Sequence, residues 1–200
     1  MTEKLFNYPE YAEINGKKYK INTDYKVAIR CNDICMQDID EKEKVMAIIY
    51  LLFGDAGLND VPHYEQLMEK AVYFLKCGEL DDGEQNNTNE IDMDFIKDFP
   101  YIDASFQSDY NISLETTDMH WWKFYYLLCG LSQSEMGNSC ILNRIRDLRN
   151  LDLNTIKDPK EREKLRKAKE RFALHKQKKH KEFSSDELKS MEEYHKLIGK

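Results

Sequence analysis

The residues of this chain whose types could do chemistry begin with His120, which stands directly before Trp121 and Trp122, where aromatic surroundings can shift an imidazole's pKa. A histidine becomes a general base when a serine or cysteine nucleophile is tied to it, and no motif here supplies one. The simpler reading is a histidine at the boundary of a core. Cys31 and Cys35 lie four residues apart and would share a helix face, but the five cysteines (these two with Cys77, Cys129 and Cys140) form no CxxC pair. That pattern suits buried thiols in a reducing compartment better than zinc, redox chemistry or a disulfide. Residues 79–89 offer Asp81, Asp82 and several asparagines as oxygen donors. The alternating Asp-x-Asx-x-Asx-Gly order and closing Glu of a calcium loop are missing, so a solvated acidic loop is expected. The paired acids Asp92 and Asp94 read as surface acids, and His63, His175, His180 and His195 lack ligand spacing. With no Gly-rich phosphate loop, no G-x-S-x-G elbow and no HExxH, we expect no enzyme, no cofactor and no metal.

The elements that would position these residues centre on residues 119–131, Met-His-Trp-Trp-Lys-Phe-Tyr-Tyr-Leu-Leu-Cys-Gly-Leu, which hold both tryptophans of the protein. Apolar or aromatic groups point almost all round a helical wheel, the pattern of a helix enclosed by others. Thr117 or Asp118 could cap its start, and Gly130 falls where helices stop. These rings could form an exposed platform for a partner or a base. Because each brings about 150–250 Å² to bury, a structural core of Trp121, Trp122, Phe124, Tyr125 and Leu128 is the expected outcome.

Elsewhere the spacing predicts mostly helix. Asn15-Gly16 signals a two-stranded hairpin over about residues 11–22, since both central residues of a type I′ turn need positive φ. Thr23 or Asp24 should cap a first helix through about Met36, and Asp40 with Glu43 has capping-box spacing for a second, whose apolar run, Val45 to Phe53, ends at Gly54. Pro62 opens a third that stops at Gly78. Residues 92–110 read as helical, interrupted or restarted near Pro100, and another helix runs from about Ser134 to Leu148. Asp158-Pro159-Lys160-Glu161 is a strong start for the next. The fold class is therefore mainly α: a compact helical domain of about seven helices, with a small N-terminal β-hairpin and a C-terminal helical extension. One domain is expected over 1–176, with a mobile acidic loop at about 79–90. A basic linker and a short amphipathic helix follow over 177–200, with Leu188, Met191, Tyr194, Leu197 and Ile198 on one side.

Charge divides unevenly. Net charge is −7, but residues 157–182 carry twelve Lys/Arg against five Asp/Glu, a local +7 that leaves −14 for the rest. The overall acidity argues against a general nucleic-acid binder, and the asymmetry suits head-to-tail self-association or an oppositely charged partner. The first residues show no apolar h-region, and the longest apolar run, 45–53, is too short to span a bilayer, so neither secretion nor a membrane is expected.

Several stretches together resemble one family. They are residues 13–19 (Glu-Ile-Asn-Gly-Lys-Lys-Tyr) followed by 21–25, then 74–78 (Phe-Leu-Lys-Cys-Gly), and next 120–124 with Leu127, Leu128, Gly130 and Leu131. The last is 152–158 running into the charged 161–169. In order and spacing they are similar to the gene-product-fifteen family of tailed phages and prophages of Gram-positive bacteria, over roughly residues 5–174. The resemblance implies a siphophage tail-morphogenesis protein encoded next to the tape measure, with no catalytic motif to carry over. It implies a tail-assembly chaperone that binds and solubilises the tape-measure protein before the tail tube polymerises. It would act in the host cytoplasm, be absent from the mature virion, and possess the major tail-tube protein and its own copies as further partners. Leu188, Met191, Tyr194 and Leu197 are the candidate partner-binding residues. The alternatives are a nucleic-acid-binding accessory protein using the basic 157–182 helix, and a structural tail component. If neighbouring copies pack basic segment to acidic face, light scattering will show self-association weakening as salt rises from about 0.05 M to about 0.5 M, and an unchanged assembly would exclude that pairing.

Overall fold

The computed structural model describes residues 8–79, 92–133 and 139–174. The 79–90 loop beyond Glu79 and the 177–200 tail, with Leu188, Met191, Tyr194 and Leu197, lie outside the described residues. Seven helices and one antiparallel hairpin make up the described chain: β1 (Tyr11–Ile14), β2 (Lys17–Lys20), α1 (Tyr25–Met36), α2 (Glu41–Leu58), α3 (Tyr64–Leu75), α4 (Phe99–Tyr110), α5 (Trp121–Cys129), α6 (Ile141–Asn150) and α7 (Pro159–Phe172). The protein is mainly α. Contacts divide it into two compact units, one holding described residues 8–79 and 118–125, the other 92–117, 126–133 and 139–174.

In the first unit the hairpin turns on Asn15 (φ 50) and Gly16 (φ 79), the positive angles a type I′ turn requires. Ala12 faces Tyr19 across the pair, and Ala12, Ile14 and Tyr19 are buried while their neighbours are exposed. That alternation gives the hairpin one face to lay on α2 and α3. Asp24 caps α1 by accepting the Lys26 N–H at 2.9 Å, and Asp40 caps α2 through the Lys42 N–H at 2.8 Å. Gly54 does not end α2. It kinks the helix at φ 62, ψ −156, a backbone region open to glycine, and the helix resumes to Leu58. Beside the kink the Leu52 carbonyl accepts the Asn22 N–H at 2.7 Å, joining the exit of the hairpin to α2. Pro62 sits in a 3-10 turn, Val61–His63, ahead of α3. Cys77 (φ 54) and Gly78 (φ 82) end α3, with the Gly78 N–H reaching back 2.9 Å to the Tyr73 carbonyl.

In the second unit the helix restarts at Pro100, one of the two outcomes its position allowed. It occupies the first turn of α4, where its missing N–H would have had no helical partner. The preceding residues form a turn in which Asp94 accepts the Ile96 and Lys97 N–H groups, each at 2.9 Å. The helix expected from Ser134 starts at Ile141, and one of its first N–H groups, that of Leu142, donates to the buried Ser105 Oγ at 3.1 Å. Residues 134–138 are outside the described set. Asp158 and Pro159 open α7 as their order predicts, with Asp158 accepting the Lys160 N–H at 3.0 Å.

The unit is tied by Arg149, whose two terminal nitrogens each meet an Asp98 carboxylate oxygen at 2.7 Å. Its Nε donates to the Phe172 carbonyl and Nη1 also to the Asp92 carbonyl, both at 2.7 Å. The side chains are 8% and 1% exposed, so each charge depends on the other. Arg149→Met, which keeps the stem and removes the charge, should cost about 3–5 kcal/mol by leaving Asp98 buried and unpaired, read as a lowered denaturant midpoint. The double variant with Asp98→Leu should recover much of it.

A candidate partner-binding aromatic surface

The chain before α5 is extended rather than helical. The Tyr25 N–H donates to the Met119 carbonyl at 3.0 Å and the Trp121 N–H to the Thr23 carbonyl at 2.7 Å, so His120 pairs with Asp24 as an isolated β-bridge. Thr117 and Asp118 therefore stand too early to cap α5. His120 caps it instead, its Nδ1 accepting the Trp122 N–H at 3.1 Å. Its Nε2 donates to the Pro9 carbonyl at 3.2 Å, which fixes a neutral ring with the proton on Nε2. The ring stacks on Tyr8 (4.9 Å between centroids) and meets the edge of Phe74 (5.7 Å). Burial lowers its pKa, against the Pro9 carbonyl and Glu10, which raise it.

The two indoles that follow both close the end of α3. Trp121 Nε1 donates to the Leu75 carbonyl at 3.0 Å and Trp122 Nε1 to the Phe74 carbonyl at 2.9 Å. There the likeness ends. Trp121 is buried and stacks on Phe124 (5.7 Å), which stacks on Tyr25 (4.7 Å), in the heart of the first unit. Trp122 is half-buried, with Tyr8 at 6.2 Å, Tyr73 at 6.1 Å and Phe74 at 6.5 Å. Tyr8 (38% exposed), Val72 (40%) and Tyr73 (44%) leave an aromatic surface open to solvent. Of the residues expected in the core, Trp121, Phe124 and Leu128 are buried, while Trp122 and Tyr125 are partly exposed. The helix is thus not enclosed all round: Lys123, Tyr126 and Cys129 face solvent. A helical wheel cannot separate these cases, because tryptophan and tyrosine carry a polar tip that lets one edge stay wet.

The remaining candidates are structural where they are described. Asp92 pairs with Arg146 at 2.9 Å, and Asp94 holds the turn before α4. Burial pushes the Cys31 thiol up to about 12 and raises Cys35, leaving both as inert thiols. His63 joins a cluster that no local spacing announces: its Nδ1 lies 2.7 Å from Asp60, which also receives Lys17 Nζ at 2.6 Å and the Tyr19 hydroxyl. Burial would raise the Asp60 carboxyl, but these three donors outweigh it and hold it well below the usual range. They tie the hairpin to the turn before α3. An open cleft of about 940 Å³ lies among residues 20–24, 50–55 and 118–120. Among the described residues no group of three His, Cys, Asp or Glu side chains is arranged to hold a metal ion.

A family model described as Bacteriophage Gp15 protein matches residues 5–174. The chain belongs to that family. The matched stretch contains the hairpin, Gly78 and the His120–Trp122 segment. No curated protein and no solved structure matches the chain.

Gly78 supports the surface from beneath. At φ +82 a side chain is strained, and a Cβ would lie 2.9 Å from Trp122 Cη2. Gly78→Ala should therefore destabilise by more than the ~1–2 kcal/mol of a left-handed backbone alone and shift tryptophan emission. Gly16→Ala is the control, since at φ +79 its Cβ meets nothing within 4 Å and emission should stay unchanged.

Proposed function

We propose that this phage protein is a tail-assembly chaperone that acts by binding rather than by catalysis. It holds the tape-measure protein soluble in the host cytoplasm until the tail tube forms, and it leaves no copy in the mature virion. The observation that carries this reading is the partly exposed Trp122 with the solvent-facing rings of Tyr8 and Tyr73 beside it. A tape-measure chain is long and helical, and before assembly its helices present apolar stripes to water. A rigid patch of large rings with polar edges is suited to cover such a stripe, because it loses little conformational freedom on contact. Many weak contacts along one long chain hold firmly together and still yield one by one. Membership of a bacteriophage protein family supports a role in the phage itself.

The basic-helix alternative is weakened where some of its cations are already engaged within α7 and its approach. Arg166 pairs with Glu163 and Glu170, Arg162 donates to the Ile156 carbonyl, and Lys169 donates to the Leu151 carbonyl. Co-expression with the downstream tape-measure protein should make that protein soluble and co-purify it. Trp122→Ala with Tyr73→Ala should reduce capture by about 30-fold or more if the patch is the binding centre, while circular dichroism shows the fold intact. Continued insolubility beside the wild-type protein would overturn the chaperone reading. Virion mass spectrometry that finds the protein in the particle would make it a structural tail component.

A further inference from the structure

The His120 ring sits where three things meet: the start of α5, the segment carrying Tyr8 and Pro9, and the end of α3. Only one protonation state serves all of them. The Trp122 N–H is a donor and needs a lone pair on Nδ1, while the Pro9 carbonyl is an acceptor and needs a proton on Nε2. A second proton, on Nδ1, would set donor against donor and remove the cap of α5. It would also place a positive charge against the positive end of the α5 dipole, in a ring already packed between Tyr8 and Phe74. Tyr8, held through the stack and the Pro9 bond, is one wall of the aromatic surface around Trp122.

We propose that His120 is a proton-sensitive latch on that surface: its neutral ring caps α5 at the Trp122 N–H while holding Tyr8 beside Trp122, and its protonated ring gives up that cap, keeps Pro9 and Tyr8, and draws them out of register with Trp122, so that capture of an apolar partner helix weakens. The link to capture rests on the chaperone reading; the latch itself does not. The charged groups on the elements around the ring are Glu10 from the segment leading into β1, Asp24 and Lys26 at the head of α1, Asp118 and Lys123 on its own stretch, and Lys76 beyond α3. Glu10 favours the charged ring, as does the Pro9 carbonyl; burial opposes them and outweighs both.

The sign follows from that balance. The folded protein binds the proton less readily than the unfolded chain, whose imidazole keeps the ordinary value of 6.5. The stability contributed by the neutral ring is complete above that value and is lost as pH falls through it toward the lower folded value.

The test uses the full chain alone: tryptophan emission and thermal melting from about pH 8 to about pH 5, in the range where an imidazole changes charge. Wild type should show a red shift and a falling Tm on acidification. His120→Asn, which supplies a capping oxygen that does not titrate, should lose the red shift and flatten the Tm profile, although His63 beside Asp60 remains in both proteins. His120→Ser, a second non-titrating cap, repeats the comparison should the asparagine variant fold poorly. Trp122→Phe should abolish the red shift and leave the Tm profile, assigning the signal to Trp122. Emission unchanged in wild type, or His120 variants that follow the wild-type curve, would overturn the latch. Capture of the tape measure that is strong yet independent of pH would overturn the coupling and leave the chaperone reading standing; failed capture with a working latch would do the reverse.

Discussion

At the end of α3 the Tyr73 and Phe74 carbonyls accept from Gly78 and Cys77 just beyond the helix, and two adjacent indoles supply the further donors to Leu75 and Phe74. The last turn of any helix leaves acceptors without helical donors, and in a buried place each one left bare costs about 1–3 kcal/mol. Trp121 and Trp122 bring their N–H groups to Leu75 and Phe74, so the meeting of α5 with α3 is fixed by direction as well as by apolar area. Once that geometry is set, neighbouring positions on α5 must point differently, one inward onto Phe124 and Tyr25 and the other outward between Tyr8 and Tyr73. Core and exposed surface in the first unit thus share a single hydrogen-bonding constraint. Cys77 and Gly78 turn the chain away just beyond it, at positive φ, which leaves room for the outer indole.

The second unit solves a comparable difficulty with charge. Arg149 reaches Asp98, the Asp92 carbonyl and the Phe172 carbonyl, so one guanidinium joins the turn before α4, α6 and the end of α7. A planar fork of donors is suited to this, since several acceptors can be met without strain. Ser105, Asp103 and Asp109 serve nearby backbone N–H groups of Leu142, Leu114 and Ser132 in the same manner.

What could be read from sequence was what depends on neighbours along the chain. Asn15-Gly16 sets a hairpin because two consecutive residues must accept positive φ, and Asp24, Asp40 and Asp158 announce helix starts because a short carboxylate reaches an N–H two residues on. Gly54 and Pro100 were ambiguous for the same local reason: glycine both ends and kinks helices, and proline both breaks and begins them. The cap of α5 was hidden because the bridge to Asp24, far back in the chain, keeps residues 118–120 extended and hands the role to a histidine. Asp60 with Lys17 and Tyr19, and Arg149 with Asp98, join residues some forty to fifty positions apart, and no periodicity carries that information. The aromatic surface was half legible: the rings were plain, but which of two adjacent tryptophans stays wet depends on what α3 offers them.

One feature of α7 bears on how the second unit comes apart. None of its residues is fully buried, and its ties to the body are the edge of Phe172 against Tyr101, the half-buried Leu165 and Ala168, and a few polar bonds that end on main-chain oxygens at Phe172 and Leu151. Peeling such a helix away exposes little oil to water, so its amides should exchange with solvent well before those of α4 and α6. The unit has, in effect, an outer leaf that can lift while Ile102, Phe106 and Leu142 remain sealed beneath it.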